Sequence, residues 1–544
     1  MEDHVEMETE DFDRDWDILE DVEEPEPDYR NSGALDLHLY TTASNVETAA
    51  KVLCAEIGYA ISRAITHMKV VLLNLFWSDH LDEERWVGYS RNNNRYGIPF
   101  RYNRQRIEVH PLIKIVDGLR KLEYIEHVDG EFTGVPGKGR CSRMRATQKL
   151  IDLLIGEYGI TTYMVGRHPD EEVIYLKDTK GNDKKLIFYE DTDETDDMRR
   201  FLNQYNEFIQ KTYIDIDYKG YEHKRTFRRT SPEYLLKLPT ELNFDLSKRK
   251  MRRIFNNGTF SEGGRFYGAF WMEMPSQLRL RLIIDLQKVV EIDFGGIHIH
   301  LLYNAVGIDY GATQQDPYTI PGYGTTLKHR NLFKKLLLAV VNAQKDKKYT
   351  GEKKAAMALQ KDINFNPSEY PDEIPDLAKV ISDYRDHHYP ISEFLCTGAG
   401  YHLMYQDSCI AEHVLKEMFK RKIPVLPVHD SFICPKQYAD ELIDAMTAGY
   451  KHVTGRTLTN TTYTANIKEA DEWDRSTPGN EDEDYYFDPT YTDDEELIHH
   501  MMMVDNSING FETEQCHEPS GIVRPHTLYI SIPIKYESHS GIPG

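Results

Sequence analysis

Cysteine is scarce and scattered. The 544 residues hold six, at positions 54, 141, 396, 409, 434 and 516, with no C-x2-C pair. Neither a zinc site nor a disulfide framework follows from that spacing, and a reducing compartment is the expected setting. No apolar run reaches the roughly 18 residues that a membrane-spanning helix needs, so no membrane partner is expected. The first residues are acidic rather than basic and then apolar, so no secretory leader is expected. A cytoplasmic home is expected, either nucleoid-associated or in a phage- or plasmid-encoded protein.

Positive charge is the other scarcity. Lys and Arg number 65 against 90 Asp and Glu, a net charge of −25. That balance looks wrong for a nucleic-acid binder until it is located. Residues 1–30 carry −13 and residues 470–497 carry −11, so the middle of the chain is close to neutral. Both acidic segments read as solvating tails. A second reading makes them mimics of a phosphate backbone, or handles for replication or mobile-element partners. With 40% hydrophobic and 11% aromatic residues, the chain can bury a sizeable core. Its length suggests two to four domains.

What is present begins after the acidic tail, placed at residues 1–33. Apolar residues recur at helical spacing over residues 45–73. Residues 86–106, WVGYSRNNNRYGIPFRYNRQR, interleave Arg, Asn and aromatics. An amphipathic helix, HPLIKIVDGLRKLEYIE, follows; then a basic, Gly-rich hairpin over residues 128–145 and a further helix. Residues 34–160 therefore read as a winged-helix-like DNA-binding region. Lys138, Arg140, Arg143 and Arg145 would lie on or near the wing and meet phosphates. Residues 161–255 are expected to form a connector. They start with a strand hairpin that turns at residues 180–182 and continue with an amphipathic helix over 195–215. The basic stretch 224–253 follows, and its charge density suits a phosphate backbone. The connector is read as basic, helical and thumb-like.

Chemistry concentrates in residues 256–468. The apolar run VVEID ends on Asp293, Gly295-Gly296 turns the chain, and IHIHLLYNA continues as a helix. A strand-end Asp has a fixed backbone, and a neighbouring carbonyl such as that of Phe294 can join its coordination shell. Well over a hundred residues later, RKIPVLPVHDSFICP is a second apolar strand, with His429-Asp430 where a hairpin should turn. Two such aspartates form the pattern of a two-metal site. Mg2+ ions about 3.5–4 Å apart, with Mn2+ able to substitute, would activate a 3′-hydroxyl and neutralise leaving pyrophosphate. Between the strands lies HRNLFKKLLLAVVNAQ. Arg330 and Lys334 project from one side of that helix and suit a nucleoside triphosphate; His329 and Lys335 are less well placed. His298 and His300 form an H-x-H pair, but no third ligand for zinc accompanies them.

The order of these motifs resembles family A DNA polymerases and the single-subunit phage-type RNA polymerases, over about residues 250–450. DFGGIHIHLLY looks like motif A of the DNA enzymes (D-Y-S-x-I-E-x-R). Arg330 and Lys334 resemble motif B (R-x3-K-x7-Y-G). His429-Asp430 in VHDSFI is similar to motif C, with H-D-S-F the form of the RNA enzymes. GGRFY at 263–267 resembles the G-R-x-Y segment that precedes motif A in those enzymes, and Gln406-Asp407-Ser408 resembles the stretch before their motif C. The resemblance implies that Asp293 and Asp430 hold the metals, with His429 near the primer terminus. It also implies that Arg330, Lys334, His298, Leu338 and Asn342 surround the nucleotide, and that Arg265 and Gln406 touch the nucleic acid. His298 stands where the DNA enzymes carry a sugar-sensing Glu, Leu338 where they carry an aromatic, and Asn342-Ala343 where they carry Tyr-Gly. The choice between dNTP and rNTP therefore stays open. No exonuclease carboxylate pattern stands out in residues 34–250, so no proofreading is expected.

The fold expected is α+β: a right-hand polymerase palm with inserted fingers and thumb-like helices, preceded by the winged-helix-like region. Residues 469–544 form an acidic C-terminal region. The expected function is DNA-directed DNA synthesis, with DNA and nucleoside triphosphates as partners. RNA or primer synthesis is the alternative. A DNA-binding replication initiator with a degenerate palm is the alternative of another class.

Overall fold

The computed structural model describes residues 31–131, 140–178, 185–217, 224–228, 235–239, 245–313, 315–361, 377–457 and 467–469. Residues 1–30 of the acidic tail, residues 470–544 and the hairpin turn at 180–182 lie outside them, as does Lys138; the expected tail boundary at 33 falls inside the first strand, Ser32–Ala34.

The chain opens on β1 (Ser32–Ala34), α1 (Ser44–Glu56), α2 (Ser62–Leu81) and β2 (Trp86–Tyr89), then α3 (Val109–Lys121), β3 (Ile125–Val128) and β4 (Ser142–Ala146). Val46, Ala49, Ala50 and Leu53 line one side of α1, and Leu112, Ile115, Val116 and Leu119 one side of α3. This is the spacing of an apolar helical stripe. Those stripes close on α2 and on a sheet of order β1-β2-β4-β3, forming one core that ends at Ile160. Gly118 permits the close approach of α3 to the end of α1, since a Cβ there would lie 2.7 Å from Ile57 Cβ.

A second core runs from Val173 to Tyr450, joined by Tyr102. Its first sheet holds β5 (Ile174–Asp178), the short strand Lys185–Leu186, β7 (Arg252–Phe255) and β8 (Gly263–Tyr267). Between them come α4 (Asp193–Lys211) and β6 (Ile214–Ile216). The second sheet is antiparallel. It joins β6 to β9 (Leu282–Ile284), β10 (Gln287–Asp293), β12 (Ser431–Pro435) and β11 (Leu426–Val428). Strand β13 (Ile467–Glu469) adds to β10 on the same side as β9. The helices are α5 (Ile297–Ala305), α6 (Leu327–Asn342), α7 (Gly351–Lys361), α8 (Leu377–His387), α9 (Gly400–Lys420) and α10 (Ala439–Thr454). Mixed helices and mainly antiparallel sheets make the architecture α+β.

The connector expected at 161–255 differs. Among its described residues it holds one long helix, α4, and is otherwise strand-rich rather than helical. Lys224–Arg228 and Leu235–Pro239 pair as an antiparallel hairpin inside the basic stretch. Strand β7 lies parallel to β5 and antiparallel to β8, so one sheet crosses the expected boundary at 255/256. The reason is non-local. Arg253 meets Ile174 across a long sequence interval, and no local period reports that pairing.

Polar ties join the two cores. Arg101 reaches Glu172 and Asp191, Arg167 reaches Asp36, and Trp77 Nε1 donates to Asp245.

Candidate active site

The two aspartates meet at the end of the antiparallel sheet. Strand β10 reads Q-K-V-V-E-I-D, and its Val289, Val290 and Ile292 are buried. Such a run favours a strand covered on both faces. It ends at Asp293, which pairs in register with Ser431, the first residue of β12. Strands β11 and β12 form a hairpin whose two-residue turn is His429-Asp430, since Val428 pairs with Ser431. His429 takes a left-handed conformation, φ 58°. Two-residue turns between right-twisting strands demand this, and it is uncommon for a side chain with a Cβ. Phe294 N donates to Asp430 O at 3.4 Å, which ties the strand end to the turn. Residues far apart in sequence thus occupy adjacent backbone positions.

The surroundings of Asp430 are charged. Burial first, then the Asp407 carboxylate, push its carboxyl above the usual range, against the opposing pull of Arg265 and His298. Asp407 lies on α9, which packs against β8. Arg265 Nε donates to both Asp407 oxygens at 3.1 Å, and His298 Nε2 lies 2.9 Å from Oδ2. A carboxylate only accepts, so the His298 proton sits on Nε2 and points at Asp407. Burial raises the Asp407 carboxyl, but Arg265 and His298 outweigh it, and it stays below its ordinary value. The tip of β8, the start of α5 and the middle of α9 are therefore locked by one buried carboxylate.

On the strand itself, Glu291 shares a face with Asp293. It is buried, held by two bonds from Arg279 at 3.0 and 2.8 Å, and accepts from Ser431 Oγ at 2.8 Å. Tyr267 meets the His429 ring edge-on at 5.7 Å. Tyr318 is buried, and burial first raises its phenol; Arg330 opposes this, while Asp430 and Asp293 add to it. Tyr318 therefore sits in the field of both aspartates and of the helix α6 cation.

The nucleotide-side residues expected from sequence are all on α5 or α6. Thr326 caps α6 by accepting from His329 N, which aims the first turn toward Tyr318. Arg330 Nε donates to Asp316 at 2.9 Å, and its guanidinium lies 5.0 Å from the Tyr318 ring centre. Lys334 is half-buried one turn on. Leu338 is only 9% exposed, so little of it is open as a platform. Asn342 bonds back to the Leu338 carbonyl and presses on α9, where a Cβ on Gly400 would meet its Oδ1 at 1.8 Å. Gln406 is half-buried beside Asp407.

The wing residues part company. Arg143 is a correction: it is 2% exposed and donates to Ser32 Oγ, beyond reach of a phosphate backbone. It is the second residue of β4, on the face opposite the core residue Met144, and its guanidinium is held by Ser32 of β1 and by the Cys141 carbonyl. Arg140 pairs with Glu131, and Arg145 pairs with Glu84 and Glu126 above the Trp86 ring. Lys138 falls outside the described residues.

Among the described residues no group of three or more His, Cys, Asp or Glu side chains forms a metal cage. Asp293, Asp430 and the Phe294 carbonyl are nonetheless hard oxygen donors suited to Mg2+. The residues present fit a divalent ion. Sequence reasoning missed Glu291, Asp316 and Tyr318. The E-x-D spacing in β10 was a usable signal for Glu291; for the other two there was none. No known protein family matches the chain, and no characterised protein does.

Proposed function

We propose that this chain is a template-directed nucleotidyltransferase that extends the 3′-hydroxyl of a nucleic acid, with DNA synthesis as the first reading. One observation carries it: Asp293 ends a strand whose antiparallel neighbour begins directly after Asp430, in a half-buried hairpin turn. In this reading the sheet of β6 and β9–β12 is a polymerase palm, the helical stretch α6–α8 its fingers, and residues 34–160 a winged-helix-like DNA-binding region.

Bound Mg2+ would lower the pKa of the attacking 3′-hydroxyl and neutralise charge on the triphosphate. Asp293, Asp430 and the Phe294 carbonyl would hold it. Arg330 and Lys334 would bind the triphosphate, with Arg330 exchanging Asp316 for phosphate as the nucleotide enters. His429 would contact the primer terminus from a turn stiffened by Tyr267. Arg265, held by Asp407, would keep the hairpin turn and the start of α5 in register with each other. RNA synthesis is the second reading. One observation favours it: His298, at the position of the sugar-sensing Glu, is held by Asp407.

Primer extension with Mg2+ and either dNTPs or rNTPs tests the proposal. The wild type extends, and Asp293→Asn or Asp430→Asn lowers the rate by about 10^3-fold, roughly 4 kcal/mol of transition-state stabilisation. If wild type incorporates neither nucleotide set and Asp293→Asn leaves DNA binding intact, the chain is a DNA-binding protein with a degenerate palm.

A further inference from the structure

The expected nucleic-acid contacts on the wing are largely spent on internal partners. A different segment of the same region is not. Residues 100–107 alternate between side chains that anchor the loop and side chains that face out. Arg101 is buried and bonds to Glu172, Asp191 and the Tyr189 carbonyl. Tyr102 donates to the Ile187 carbonyl and accepts from Leu176 N. Asn103 closes a double bond on the backbone of Ile107, at 2.8 and 2.9 Å. Gln105 donates to the carbonyls of Leu37 and Leu39.

Ile107 is buried, Phe100 and Arg106 are exposed, and Arg104 is half-exposed. Phe100 is 50% exposed. The guanidinium of Arg106 lies 4.7 Å from its ring centre and that of Arg104 5.2 Å. Arg104 spends one N–H on the Asp170 carbonyl, and neither Arg pairs with a carboxylate among the described residues. Arg106 holds a left-handed backbone, φ 53°, that a side chain with a Cβ seldom adopts. The bonds of Asn103 and Gln105 on either side keep it there. A second ring, Phe188, is 62% exposed and lies 5.5 Å from the Arg101 guanidinium.

We propose that Phe100, Arg104 and Arg106 form a fixed platform for single-stranded nucleic acid. Stacked guanidinium and phenyl planes offer faces to unpaired bases, and the two unneutralised cations suit the phosphates that link them. A duplex hides its base faces, so the surface favours a single strand. The platform is preorganised: residues 101, 102, 103 and 105 already hold the loop, so binding orders little. The inference rests on the proposed function for its choice of a nucleic acid as occupant, but it is read by binding alone.

Fluorescence anisotropy of the full chain with labelled oligo-dT and with a duplex of the same length tests it. Phe100→Ala, and Arg104→Ala with Arg106→Ala, are expected to weaken oligo-dT binding about tenfold. Phe100→Trp retains it. The double Arg variant also lowers the slope of log affinity against log salt by about 1.4. Arg140→Ala with Arg145→Ala changes little. Phe100→Ala binding oligo-dT as tightly as wild type overturns the platform, as does an equal loss for duplex and single strand. Wild type that binds neither overturns it together with the proposed function. Loss in Phe100→Ala from a wild type that extends no primer supports the platform and sinks the polymerase reading alone.

Discussion

Replacing Asp407 with alanine removes the carboxylate on which the site's charges converge. Asp407 is 3% exposed and Arg265 7%. Arg265 Nε and Nη2 and His298 Nε2 all turn to the Asp407 oxygens. Without them a buried guanidinium loses the carboxylate that two of its nitrogens face. Breaking one side of a buried pair costs about 3–5 kcal/mol, most of it the uncompensated charge. For a cooperative unit of this size each kcal/mol moves the midpoint by about 2 °C, so the melting temperature falls by roughly 6–10 °C. Urea denaturation, read at constant m, gives the value directly. The double variant Asp407→Ala, Arg265→Ala is expected to recover part of the loss, because it removes the stranded charge as well. The pH dependence carries a sign. The Asp407 carboxyl is held below its ordinary value of 3.8, so its contribution is full above that pH. It fades as pH falls through the lower folded value, and the wild type's advantage over Asp407→Asn shrinks in that range. A loss below about 1 kcal/mol, or a double variant no better than the single, would refute the argument. It would mean that water, not protein, already balances Arg265.

Three further outcomes follow from the same physics. Tyr205 donates to the Val425 carbonyl at 2.7 Å and accepts from its N–H, linking α4 to the strand before the hairpin; Tyr205→Phe leaves both groups buried and costs about 1–3 kcal/mol by urea unfolding. Arg167 joins Asp36 and Glu171, but Arg167 and Asp36 each keep about a third of their side chains exposed, so Arg167→Ala is expected to cost only about 1–3 kcal/mol after screening. Both carboxyls are depressed, that of Glu171 to about 2, although burial alone would raise it. Their contribution is therefore complete above the ordinary value of 4.5 and is lost as pH falls toward 2, which acid unfolding of wild type against Arg167→Ala measures. Mg2+ at a hundred times its dissociation constant is expected to stabilise wild type by about 2.7 kcal/mol in a thermal melt, and Asp293→Ala with Asp430→Ala to abolish that shift; an equal shift in both proteins places the ion elsewhere.

The helices of the first core were legible, because their apolar residues recur at three and four. So were the two aspartates as a strand-end and a hairpin-turn residue, because each follows a short apolar run. The hairpin turn at His429-Asp430 could be placed from the residues that flank it. The connector was misread. Its basic stretch suggested a thumb-like, helical surface for a phosphate backbone, whereas strand β7 within it is held between β5 and β8. Arg143 was misread for a related reason: basic character marks a surface only until a distant segment, here Ser32 of β1, packs over it.

The sequence by itself determined where carboxylates end strands, where helices carry apolar stripes, and that its excess negative charge sits at the two ends. These are local properties, set by periodicity, turn chemistry and composition within a few residues. The tertiary structure alone decided that Asp407, 142 residues from Arg265 and 109 from His298, would balance them both. It also decided that the wing arginines would be engaged internally while Phe100, Arg104 and Arg106 face solvent. Which charges meet, and which stay in water, depends on the packing of elements distant in sequence. A side chain's charge is written in the chain, but the partner that neutralises it is chosen by the fold.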